Sequence, residues 1–75
     1  MSVPERVTYR VQFGEVEHEG DLDDIFGLIH QVEGARVVNH WANFDNETAT
    51  VAISVPWPMT REMLTERLDA LGRAY

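Results

Sequence analysis

Apolar and polar residues alternate strictly from Val7 to Phe13, with Val7, Tyr9, Val11 and Phe13 on one side and Thr8, Arg10 and Gln12 on the other. A period of two with β-branched and aromatic content predicts a half-buried strand. After Gly14 the next apolar residue is Val16, so the alternation changes phase, and a bulge or bend at the glycine is the expected cause. The pattern then turns helical. Leu22, Ile25, Leu28 or Ile29, and Val32 recur at three- and four-residue spacing and make one apolar stripe. Asp21 is the expected N-cap, with Asp23 and Asp24 in a first turn where the helix dipole favours carboxylates. Gly34 stands where a left-handed residue ends a helix. Gly27 lies inside the helix at a cost of about 1 kcal/mol relative to alanine, and close approach of the helix to a sheet is the expected compensation.

Two more strands, 35–44 and 48–55, flank Asp45-Asn46-Glu47, whose Asp and Asn tolerate turn conformations and signal a β-hairpin. In the second, Ala49, Val51, Ile53 and Val55 face one way and Thr48, Thr50, Ala52 and Ser54 the other. In the first, the adjacent Val37 and Val38 break the alternation. Val38, His40, Ala42 and Phe44 are read as inward, leaving Val37, Asn39, Trp41 and Asn43 on the opposite face. Pro56-Trp57-Pro58 stops the strand, because neither proline can donate to a ladder. Thr60 caps a last helix whose Met63, Leu64, Leu68 and Leu71 share a face, and Gly72 ends it.

Strand, helix, strand, strand, helix is the order of a ferredoxin-like α+β domain, an antiparallel sheet with two helices on one face. Only Arg73-Ala74-Tyr75 remain for its fourth strand, which is therefore expected to be missing or vestigial. The first strand then becomes an exposed edge with unpaired backbone groups. The sheet face away from the helices presents Thr8, Arg10, Gln12, Val37, Asn39, Trp41, Thr50, Ala52 and Ser54. Seventy-five residues make one domain with a thin core. These features predict a homodimer, formed by edge pairing of the first strand or by packing of the open faces, with Trp41, Val37, Arg10, Thr8 and Asn39 in the contact.

Charge and composition narrow the functions. Thirteen acids stand against six bases, all of them arginine, for a net charge of −7. That balance argues against direct binding to nucleic acid or anionic lipid. No apolar run approaches the ~20 residues that span a bilayer, and the start MSVPERVTYR has neither a basic nor an apolar signal region. A cytoplasmic protein without membrane contact is the expectation. Cysteine is absent, which removes thiolate metal sites and cysteine nucleophiles. No G-x-S-x-G turn or glycine-rich phosphate loop is present, so no catalytic residue, cofactor or metal is assigned and a non-enzymatic protein is expected.

Two family resemblances follow from particular residues. Gly20-Asp21-Leu22-Asp23-Asp24-Ile25 resembles the G-x-L-x-x-I turn that opens the first helix of ACT regulatory domains. That resemblance implies amino-acid binding at a dimer interface near the glycine turn, with Gly20, Asp21 and Leu22 as the positions that would inherit the role. Val32-Glu33-Gly34-Ala35-Arg36-Val37-Val38 and the Leu71-Gly72 ending are similar to heavy-metal-associated domains of the copper-chaperone kind. Those carry two cysteines before the first helix; here Glu17-His18-Glu19-Gly20-Asp21 stands instead, which rules out thiolate copper transfer.

Glu15, Glu17, Glu19, Asp21, Asp23 and Asp24, with His18 among them, form the densest charge cluster. A solvated loop with helix-dipole complementation is the simplest account, against a hard-cation site or a patch presented to a basic partner. His30 and His40 read as hydrogen-bonded packing residues, and Trp57 as a cover for the end of the core. Three functions from different classes remain. The first is a small binding or regulatory module acting through protein contacts. The second is an acidic inhibitor occupying the basic groove of a nucleic-acid-binding machine, in the manner of phage anti-CRISPR proteins and DNA mimics. The third is a divalent-metal sensor using His18 and nearby carboxylates.

Overall fold

The computed structural model describes residues 5–71. They form β1 (Arg6–Phe13), α1 (Glu19–His30), β2 (Arg36–Asn43), β3 (Thr48–Pro56) and α2 (Arg61–Ala70). The three strands make one antiparallel sheet in the order β1-β3-β2, so among the described residues β3 is central and the other two are edges. This is the α+β element order expected from the periodicity. Gly72, expected to end the last helix, and residues 73–75, the stretch left for a fourth strand expected to be missing or vestigial, lie outside the described residues.

Register explains the core. Val7, Tyr9, Val11 and Phe13 sit opposite Val55, Ile53, Val51 and Ala49, and all eight project to the same side. Leu22, Ile25 and Ile29 of α1 and Leu64 and Leu68 of α2 pack onto that side with Val16, Val32 and Met59 in one apolar cluster. Tyr9 is half-buried there, and its hydroxyl donates to Met59 O at 3.0 Å. The C-terminal ends of both helices meet, with Gln31, Val32 and Glu33 facing Arg67, Ala70 and Leu71 across a shallow groove of about 320 Å³.

Several local expectations are corrected. The N-cap of α1 is His18, not Asp21: His18 is extended (φ −155°, ψ 176°) and its Nδ1 accepts from the Gly20 N–H at 3.0 Å. Asp21 is the third helical residue, and its Oδ2 reaches back to accept from Glu17 N at 2.8 Å and His18 N at 3.4 Å. The expected bend at Gly14 is present, and Glu15 beside it is left-handed at φ 59°. Together they deliver Val16 into the core, where the Val16 N–H donates to Glu47 O at 2.9 Å. Gly34 is left-handed at φ 83°, as expected, but it lies in the turn beyond the C-cap Gln31. Gly27 faces open space, with nothing within 4 Å of where a Cβ would stand, so close helix–sheet approach is not its role.

The largest correction concerns β2. A bulge at Val38 lets Val37 sit opposite Ile53 while Asn39 sits opposite Ala52. Val37 therefore belongs to the helix side, half-buried against the core, and not to the open face. Beyond the bulge His40 and Ala42 share the helix side, and Asn39, Trp41 and Asn43 the open side, as read from the sequence. Val38 and Phe44, expected inside, are 57% and 39% exposed. Trp57, expected to cover the core, is 58% exposed.

Candidate functional site

The open sheet face is built on small residues of the central strand. Thr50, Ala52 and Ser54 of β3 stand between Gln12, Arg10 and Thr8 on one flank and Trp41, Asn39 and Arg36 on the other. Their short side chains let long ones meet above them. The Arg10 guanidinium lies 5.0 Å from the Trp41 ring centroid, a cation–π contact between two strands that are not neighbours. Ala52 beneath it is 4% exposed although it faces away from the helices. At the end of the face Arg6 ties three elements: Nε donates to Ser54 Oγ at 2.8 Å, and Nη2 donates to Ser54 O at 2.9 Å and Gly34 O at 2.5 Å. Trp41 remains 46% exposed, so the face keeps an apolar centre in contact with solvent.

Of the five contact residues expected from the sequence, the structure brings Arg10, Trp41, Thr8 and Asn39 to this face and turns Val37 to the other. Periodicity did not single out the Arg6–Ser54–Gly34 tie or the exposed Val38 and Phe44. The adjacent pair Val37-Val38 was the signal of the bulge that exposes Val38.

The acidic stretch is organised as a helix start. Glu15, Glu17, Glu19, Asp23 and Asp24 are exposed, while Asp21 is half-buried and holds two backbone amides. The His18 imidazole caps the helix with Nδ1 while Nε2 stands 3.8 Å from Asp21 Oδ2. Gly20 lies under the His18 ring, where a Cβ would come within 2.8 Å of Cε1, and Leu22 is buried in the core. Gly20, Asp21 and Leu22 thus serve the cap and the core. Among the described residues no group of three or more histidine, aspartate or glutamate side chains is placed to hold a metal ion. The His40 ring meets Phe26 edge-on, with centroids 5.1 Å apart, and His30 is exposed in the last turn of α1.

Charge is segregated by element. None of the 13 carboxylates lies on a strand, whereas Arg6, Arg10 and Arg36 do. The sheet is neutral to basic within a chain of net charge −7. No helix among the described residues is long and apolar enough to cross a membrane. No family model, curated protein or solved structure matches the chain.

Proposed function

We propose that the chain is a small, non-enzymatic binding or regulatory module of ferredoxin-like βαββα type that acts through protein contacts as a homodimer. The observation that carries this reading is the carboxylate-free sheet with Trp41, Val38 and Phe44 exposed on or beside one edge strand. Large apolar side chains grouped on such a surface are energetically rewarding to cover. The order β1-β3-β2 supports the ferredoxin-like assignment. A small ligand at Gly20–Leu22 draws no support from the geometry, because the cap already uses those groups. Sedimentation equilibrium over a concentration series tests the reading. A reversible dimer, weakened by Trp41→Ala, is expected; a monomer at every concentration would refute it.

A second reading is favoured by one observation, the exclusion of every carboxylate from the sheet. Acids confined to loops and helices give the molecule an acidic side able to mimic a polyanion and block a basic groove. Such association is expected to weaken steeply with salt, since attraction between opposite exposed charges is screened. Binding to a basic groove that is indifferent to salt would count against it.

A further inference from the structure

The homodimer just proposed leaves open which surface joins the copies, and backbone polarity separates the two sheet edges. The Trp57 N–H donates to Glu5 O, which marks the residues of β1 bonded to β3 as the odd-numbered ones. The backbone groups of Thr8, Arg10 and Gln12 therefore point outward. On that edge Arg61 donates from its guanidinium to Arg10 O and lies 5.6 Å from the Tyr9 ring centroid, so α2 already leans over β1. Applied across β3, the same alternation turns the backbones of Asn39, Trp41 and Asn43 toward β3. Those of His40 and Ala42 then face out, along a strand on which every residue but Val37 is exposed. The outward His40 N–H is held by the Oδ1 of its neighbour Asn39 at 2.8 Å, a local stand-in for a missing strand.

We infer that two copies pair β2 with β2 in antiparallel register about a two-fold axis at Trp41, joining two three-stranded sheets into one. A strand paired with itself must match residues whose numbers have a constant sum, and the outward backbone groups restrict the axis to a few positions. With the axis at Trp41, His40 bonds with the partner's Ala42, Asn39 faces the partner's Asn43, and Val38 faces the partner's Phe44. Apolar meets apolar and amide meets amide, and the two indoles lie across the axis from one another. Moving the axis to His40 sets imidazole against imidazole and Asn39 against the partner's Trp41. Moving it to Ala42 sets Asn39 against the partner's Asp45. Only the Trp41 axis covers both Val38 and Phe44, 57% and 39% exposed, with apolar partners. Between two copies, electrostatics favour contact along this edge over contact elsewhere. Two chains of charge −7 repel wherever their helices and turns meet, but residues 37–44 carry no carboxylate.

The absence of cysteine allows a direct test. Asn39→Cys and Asn43→Cys, prepared separately, mixed and mildly oxidised, should give a mixed disulfide dimer, because directly opposed Cβ atoms are about 5 Å apart. Neither variant alone should cross-link. Thr8→Cys mixed with Gln12→Cys, the equivalent pair on β1, should stay monomeric on a denaturing gel. In the unmodified chain, exchange protection of the His40 and Ala42 amides should rise with concentration while that of Thr8 and Gln12 does not, which decides the question if a cysteine variant fails to fold. Dimers in sedimentation without the 39–43 link and without that protection, or with the Thr8–Gln12 link, overturn this interface while leaving the dimer standing. A monomer throughout overturns both.

Discussion

Arg10 and Trp41 sit on β1 and β2, which are separated by β3, yet the guanidinium lies 5.0 Å from the indole centroid. The contact bridges β3 over Ala52 and Thr50, the residues directly opposite Arg10 and Trp41. It therefore depends on small side chains beneath it as much as on the pair itself. A double-mutant cycle with Arg10→Ala and Trp41→Ala in urea should give a coupling of about 0.5–1 kcal/mol, the range for exposed cation–π pairs. Measured at concentrations where the chain is monomeric, the coupling reports this contact alone; zero coupling would mean the two side chains do not hold each other. Ala52→Leu, by filling the space under the bridge, should abolish the coupling.

The two glycines flanking the end of α1 should respond in opposite directions to alanine. Gly27 is in mid-helix with open space around its Cβ position, so Gly27→Ala should stabilise by about 1 kcal/mol in urea unfolding. Gly34 has φ +83°, and a Cβ there would stand 2.7 Å from Pro56 Cγ. Left-handed backbone costs an alanine roughly 1–2 kcal/mol before any clash. Gly34→Ala should therefore destabilise by about 2 kcal/mol, and a shift of the backbone at residue 34 should weaken the bond that Arg6 Nη2 donates to its carbonyl.

Glu47 shows the reverse substitution. It occupies the left-handed region at φ 56°, and its carbonyl accepts the Val16 amide, so the conformation is held from outside the turn. Glycine would relieve roughly 1–2 kcal/mol of backbone strain and return part of it as unfolded-state entropy. Glu47→Gly should leave a net gain of about 0.5–1 kcal/mol, read as a rise in urea midpoint without a change in slope. A loss would mean that the Glu47 side chain itself stabilises the turn.

What the sequence made legible follows from how each element is covered. β3 alternates cleanly because it has a neighbour on both sides and one face in the core, so every second position is under the same constraint. β2 is an edge whose residues are nearly all exposed, and nothing in the core penalises a slip. Its bulge at Val38 was visible only as two adjacent valines, and the sign of the phase shift could not be read from them. His18 does not read as a cap in the sequence because a ring nitrogen, not a short side-chain oxygen, takes the amide. Its clue was the carboxylate three residues on, the spacing of a reciprocal cap. Trp41, Arg10, Thr8 and Asn39 were legible as open-face residues. Their mutual arrangement was not, because it needs strand order and register together.

The acidic stretch can be divided by mutation into residues that build the helix start and residues that only carry charge. Asp21 Oδ2 accepts from Glu17 N and His18 N, and removing it leaves both amides without that acceptor. Asp21→Ala should cost about 1 kcal/mol, as the loss of a helix cap does. Asp23 is exposed in the first turn, and Asp23→Ala should stay within about 0.5 kcal/mol. His18→Ala should fall between them, since it removes the acceptor of one amide, at 3.0 Å, and leaves the Asp21 bonds in place. Urea unfolding of the three variants at one salt concentration gives the order. If Asp21→Ala and Asp23→Ala prove equally mild, the carboxylates act by charge alone and the cap is not what shapes this segment. If Asp21→Ala alone is costly, any loss of partner binding it causes must be compared with Asp23→Ala and Asp24→Ala, which change the patch without touching the cap.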